Sequence, residues 1–323
     1  MNKRRLRHTD LDASVLTLGT ALFGSDISER EAFRLLDMYS DAGGNFLDTS
    51  LNYADWQWPV KGISEKTIGK WMKLRGNRHH MMVGTKGACP SLNNGPFLRL
   101  HRDDILSDLQ QSLHNLQTDT IDLYYLHRDD PSRPVSDILD VLEEQAERGS
   151  IRYYACSNWS LPRLVEAQQY AERTGVKGFV ANQMMWSLAE VNRHHLTDST
   201  LVAMDTDMKE YHRRTGLTAV PYSSQANGFF SGKYARGDDR SETVAGRFYY
   251  SEVNFARLDR VREQARERGA SSSNIALAYM LSQSHGFDVF PIIGPKNAEQ
   301  LEDSLKAAEL AMNEESMRLL EGN

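Results

Sequence analysis

Short apolar runs alternate along this chain with longer stretches in which apolar residues recur every three or four positions. The runs at 15–19, 45–48, 81–85, 121–126, 151–157, 179–183, 217–222 and 289–293 have the length and make-up of strands, eight in all. Between them the pattern is helical. Ile105, Leu109, Leu113 and Leu116 share one helical face, as do Ile138, Leu139, Leu142 and Ala146. Ser28 followed by Glu31 has capping-box spacing and predicts the start of the first of these helices. Alternating strands and helices predict a parallel sheet, and eight repeats predict a closed α/β (β/α)8 TIM barrel, a single domain over residues 1–323.

Four segments depart from the repeat. Residues 4–12, ahead of the first strand, predict an N-terminal β-hairpin plugging the barrel bottom, and residues 271–284 predict a helix between the one at 252–268 and the last strand. The barrel therefore carries extra C-terminal helices. Residues 54–62 and 223–250 interrupt the regular spacing. Barrel enzymes place their chemistry in loops after the strands, so both are candidate walls of a site.

Composition acts mainly by exclusion. A length of 323 residues suits one such barrel. Thirty-eight Lys and Arg against 44 Asp and Glu give a net charge of -6, which argues against a nucleic-acid partner. Lys3, Arg4, Arg5 and Arg7 precede no apolar stretch of the kind a signal peptide needs, and no apolar run approaches the roughly 18 residues of a membrane span. The two cysteines, Cys89 and Cys156, make no disulfide framework and lack metal-site spacing, so the expectation is a cytoplasmic protein without a metal centre. No heptad or apolar stripe reveals an oligomeric state.

The candidate chemistry lies at strand C-terminal ends: Asp48, Lys86, His127, then Ser157 with Asn158, and Gln183. Each has an ordinary explanation alone. Asp48 is a common turn former, Lys86 beside Gly87 suits a solvated loop, His127 suits a core, and Tyr53 is by default a packing aromatic. In a closed barrel, however, these ends converge on one mouth, although they are far apart in sequence.

Jointly the residues resemble the aldo-keto reductase family. Asp48, Thr49, Ser50, Leu51, Asn52 and Tyr53, then Gly62, Ser64 and Glu65, are similar to the signature in which an Asp-Thr opens the loop of the catalytic tyrosine. Thr85, Lys86 and Gly87 resemble its lysine segment, and Asp122 to His127 its histidine strand. The resemblance runs over essentially the whole chain, and related members include the potassium-channel beta subunits. It implies a catalytic set of Asp48, Tyr53, Lys86 and His127, interconverting a carbonyl and an alcohol. Reduction needs a proton for the carbonyl oxygen, and Tyr53 is the expected acid. A tyrosine's pKa near 10 suits that role better if Lys86 lowers it, with Asp48 keeping Lys86 charged and His127 orienting the substrate.

The same resemblance implies that Ser157, Asn158 and Gln183 hold a nicotinamide carboxamide, that Tyr222 stacks on its ring, and that Thr20 belongs to the cofactor set. Ser223, Gln225, Asn227, Gly232 and Lys233 would clamp the pyrophosphate, while Gly294, Lys296, Gln300 and Asp303 would hold the adenosine half. Two departures stand out: Ser224 and Gln225 where the family usually has Pro-Leu, and Ser304 where asparagine is usual. A cation at Lys296 favours NADP(H), with NAD(H) left open. No Gly-x-Gly-x-x-Gly fingerprint follows a strand, so a Rossmann domain is not needed. Trp56, Trp58, Trp186 and Phe229 are expected to line the substrate pocket, with a lean toward sugar-like ligands. The rival readings are an NADP(H)-binding regulatory subunit with little turnover, and a barrel glycoside hydrolase, which would need two carboxylates across a scissile bond.

Overall fold

In the computed structural model, which describes residues 1–55, 60–90 and 98–322, ten strands form two sheets. An antiparallel hairpin comprises β1 (Lys3–Arg5) and β2 (Asp12–Ser14). The barrel strands are β3 (Thr17–Gly19), β4 (Phe46–Asp48), β5 (Met82–Gly87), β6 (Ile121–Leu126), β7 (Ile151–Ser157), β8 (Ala181–Gln183), β9 (Thr218–Ala219) and β10 (Ile292–Ile293). All eight are parallel and in sequence order, with β10 beside β3. A bridge between Ala219 and Val289 closes the ring, supported by bonds from Phe290 N to Ala219 O and from Ile292 N to Pro221 O.

Each barrel strand is followed by a helix: α1 (Glu29–Asp41), α2 (Ile63–Arg75), α3 (Arg102–Leu116), α4 (Val135–Glu147), α5 (Leu161–Thr174) and α6 (Thr206–Thr215) after the first six. After β9 come α7 (Val244–Tyr249), α8 (Glu252–Arg268) and the additional α9 (Ser272–Leu281), and after β10 come α10 (Ala298–Lys306) and α11 (Glu314–Glu321). Ser28 Oγ accepts from Glu31 N, as the capping spacing predicts. Every residue of α9 from Asn274 to Leu281 is buried, so it has no polar face.

The ladders of β9 and β10 are shorter than the apolar runs that predict them. Pro221 and Pro291 lie inside those runs and have no N–H to give, so pairing there reduces to isolated bonds.

Alternation along the strands divides the core. Phe46, Met82, Leu123, Tyr125, Ala155 and Phe290 pack inside the barrel with Leu6, Leu11 and Ala13 of the hairpin, which plugs the bottom. Leu47, Val83, Tyr124, Leu126, Tyr154 and Cys156 face the helices. This period of two matters at the other end. One step past the interior layer, Asp48, Lys86, His127 and Gln183 fall on the inward side, at the mouth.

Candidate active site

Beyond Asp48 the chain stays pinned to β5, because Thr49 N bonds Gly84 O and Leu51 N bonds Lys86 O. A turn closed by Tyr53 N on Ser50 O then carries the tyrosine back over Lys86. Gly87 is required beside Lys86, since a Cβ there would overlap the Tyr124 hydroxyl. Behind the strand, Thr85 Oγ1 donates to buried Glu65 (2.6 Å), whose other oxygen accepts from Asn115 (2.9 Å).

All three protons of the Lys86 ammonium are used. Nζ lies 2.9 and 2.8 Å from the two Asp48 oxygens, 2.8 Å from Thr49 O and 2.9 Å from the Tyr53 oxygen. The Tyr53 hydroxyl donates to Asp48 Oδ2 at 3.3 Å, and Gln183 Nε2 donates to Asp48 Oδ1 at 2.9 Å. Lys86 and Asp48 are each 1 % exposed. Burial lowers the Lys86 pKa, and Asp48 opposes that. Burial and then the Asp48 carboxylate hold Tyr53 well above the ordinary phenol range, with Arg128 acting the other way. The expectation that Lys86 leaves Tyr53 with a lowered pKa is thus reversed by closure of the site. The phenol is protonated at neutral pH and still reaches the mouth, being only partly buried.

Burial likewise pushes His127 well below its usual value, and the charges of Arg128 and Lys86 add to this, so the imidazole is neutral. Its ring meets that of Tyr53 edge-on at 6.2 Å. Ser50 Oγ lies 3.1 Å from Nδ1 and also donates to Asn52 Oδ1 at 2.7 Å. Asn52 in turn donates to Cys89 Sγ at 3.0 Å. Sequence reasoning had not given Ser50 a role, although it stands inside the Asp48–Tyr53 motif.

The inner cofactor candidates also meet. Asn158, at φ 58°, donates from Nδ2 to Ser157 Oγ and His127 O, while its Oδ1 accepts from Tyr222 OH (2.7 Å) and Val202 N (3.1 Å). Thr20 lies behind these groups. It is fully buried and its hydroxyl bonds Asp48 O and Ser64, so it braces the strand end.

The outer candidates form a more open rim. Ser223, Ala226, Asn227, Gly228 and Gly232 have positive φ, curling the loop, and Asn227, Gly232 and Lys233 are exposed. Gln225 Nε2 donates to Ser304 Oγ at 3.3 Å, so the two departures from the family pattern touch. Gly294 and Lys296 are exposed, and Gln300 accepts from Lys296 N. Asp303 is engaged with Ser271 Oγ (2.9 Å) and Asn274 Nδ2 (3.2 Å) at the start of α9.

The aromatic pocket expectation fares differently. Trp56 and Trp58 lie outside the described residues. Trp186 is 8 % exposed and packs on His285 and Phe287, with Lys209 over its ring. Phe229 has no exposed surface and sits among Phe230, Tyr234, Tyr249, Tyr250 and Phe255. Both rings are spent on packing: Phe229 fills the apolar core of the 223–250 loop, and Trp186 packs away from that loop, on His285 and Phe287.

A parallel barrel thus carries a buried lysine–carboxylate pair and a partly buried tyrosine at one mouth, and comparison with known proteins assigns it to a class of oxidoreductases. Residues 15–322 match the Aldo/keto reductase family. The uncharacterized oxidoreductase YrpG of Bacillus subtilis is 34% identical, aligned over 98% of this chain and 93% of its own length. Protein tas of Escherichia coli is 27% identical over 99% and 97%. Norsolorinic acid reductase B of Dothistroma septosporum is 26% identical over 99% and 81%. The holo form of aldo-keto reductase AKR11C1 from Bacillus halodurans superposes with a TM-score of 0.76 at 24% identity, covering 100% of this chain and 96% of that one. The chain belongs to the aldo/keto reductase family. No described helix is long and apolar enough to cross a membrane.

Proposed function

We propose that this protein is an NADP(H)-dependent reductase of aldehydes or ketones, with Tyr53 as general acid in reduction and general base in the reverse direction. The observation that carries this is the Lys86 ammonium bonded at once to the Asp48 carboxylate and the Tyr53 oxygen. A carbonyl becomes an alcohol by gaining hydride at carbon and a proton at oxygen, and NADPH, when bound, supplies the hydride. Tyr53 gives the proton. Its hydroxyl, resting on Asp48, can turn to a substrate oxygen while Lys86 stabilises the phenolate left behind. Neutral His127, steadied by Ser50, orients that oxygen.

The residues present suit a nicotinamide dinucleotide. Buried Ser157, Asn158 and Gln183 supply amide and hydroxyl groups beside Asp48, half-exposed Tyr222 offers a ring face, and Lys233 and Lys296 put cations on the rim where phosphates would lie. Lys296 favours the extra phosphate of NADP(H). The reading places the protein in the cytoplasm.

Mixing the protein with NADPH and 4-nitrobenzaldehyde tests the proposal. A fall in NADPH absorbance, with alcohol formed in equal amount, is expected; cofactor binding without turnover would point to a regulatory subunit, and absence of binding would remove the reading.

A further inference from the structure

Arg128 follows His127 directly and is not accounted for by the acid–base chemistry above. Its guanidinium is 14% exposed and bridges two elements of the rim. Nη1 donates to His127 O at 2.9 Å and Nε to Thr200 Oγ1 at 2.8 Å, both good bonds. Its ion pair is poorer. Asp198 Oδ2 stands 3.5 Å from Nη2, and Asp198 is itself held by Thr200, whose N and Oγ1 both bond Oδ1.

The charge of Arg128 favours the ionised forms of Tyr53, Cys89 and Tyr222 and disfavours protonation of His127 and Lys86. His127 O, which accepts from Nη1, also accepts from Asn158 Nδ2, whose Oδ1 holds the Tyr222 hydroxyl, so the guanidinium lies at the rim beside His127 and the Asn158–Tyr222 pair. Lys86 adds little net charge there, because Asp48 neutralises it at 2.8 Å. Arg128 is thus a cation at the mouth whose carboxylate partner is at long range and partly exposed. A planar fork with spare N–H groups in a low-dielectric cleft suits a carboxylate.

We propose that Arg128 is a specificity-determining residue that binds a carboxylate borne by the substrate, so that the preferred substrates are carbonyl acids such as ω-oxo acids, with the carboxylate remote from the reacting carbonyl. This rests on the reductase reading. Asp198 acts as an internal stand-in that the substrate's carboxylate displaces, while Thr200 and His127 O keep the guanidinium in place. No bond to the carboxylate changes during turnover.

The test compares succinic semialdehyde with its methyl ester, using NADPH and scoring the ratio of kcat/KM for acid over ester. The wild-type protein should prefer the acid. Arg128→Gln should lower the ratio roughly 10- to 100-fold, mainly through KM for the acid, since hydrogen bonds to charged groups contribute about 1.5–3 kcal/mol. Arg128→Lys should recover part of it. Asp198→Asn should raise the ratio, because the competing carboxylate is gone; this separates recognition from tethering of the loop, for which Asp198→Asn would act in the same direction as Arg128→Gln. Equal losses with acid and ester in Arg128→Gln, or no preference in the wild type, would overturn the proposal. If neither compound is reduced, nor 4-nitrobenzaldehyde, it is the reductase reading that has failed.

Discussion

The two halves of the mouth are built on opposite principles. At the acid–base corner Asp48 and Lys86 are sealed from solvent and Tyr53 is locked onto them by bonds of 2.9 and 3.3 Å. Along the rim from Ser223 to Lys233 and from Gly294 to Asp303, polar groups are mostly exposed, and their bonds, as between Lys296 N and Gln300 or Gln225 and Ser304, tie rim to rim and leave the cations Lys233 and Lys296 in solvent. The corner is preorganised and is expected to govern the chemical step. The rim is adaptable and is expected to govern affinity.

Lys86→Met should produce the largest effect. It leaves Asp48 buried and uncompensated and removes the cation that stabilises the Tyr53 phenolate, so kcat should fall by roughly two to four orders of magnitude. Steady-state kinetics check this, and breaking a buried pair should also cost about 3–5 kcal/mol in denaturant titration. A kcat within a factor of two of wild type would erase the distinction between corner and rim.

Next comes the scaffold behind the corner. His212 is buried against Asn182 and Leu217 O, and His285 against Tyr279 O; burial lowers each to about 4. Unfolded, each would titrate near 6.5. The unfolded chain thus binds more protons between those values. Stability is full above pH 6.5 and declines as pH falls toward 4, by roughly 3 kcal/mol for each histidine. Melting curves from pH 7 to 4 should show the loss, and His212→Asn should make it shallower. A flat profile would mean that these rings are not held neutral.

The smallest change belongs to the rim. Lys296→Ala should weaken NADPH binding roughly tenfold while leaving NADH binding nearly as it was, with little effect on kcat. Fluorescence titration measures both. Equal weakening for the two cofactors would detach Lys296 from the 2′-phosphate.

How much of this is legible in the amino-acid sequence follows the same division. Asp48, Lys86, His127 and Gln183 can be found because strand alternation with a period of two fixes which side they face, and β6 and β7 run as the apolar pattern predicts. The hairpin plug and the Ser28 cap are equally local signals. What pattern cannot reveal is partnership across the fold. Thr20 looks like any other polar strand end until Ser64 comes to meet it. Trp186 and Phe229 lie in or near mouth loops, yet both are spent on packing. Arg128 becomes notable only once Thr200 and Asp198, some seventy residues away, are seen to hold it.

The most direct test of the central claim is Tyr53→Phe, followed by NADPH fluorescence titration and by single-turnover reduction of 4-nitrobenzaldehyde. The account predicts an NADPH dissociation constant close to that of the wild type, with reduction slowed by at least about a hundredfold. Reduction at the wild-type rate would show that the proton comes from elsewhere, and that the Asp48–Lys86–Tyr53 corner is not where the chemistry takes place.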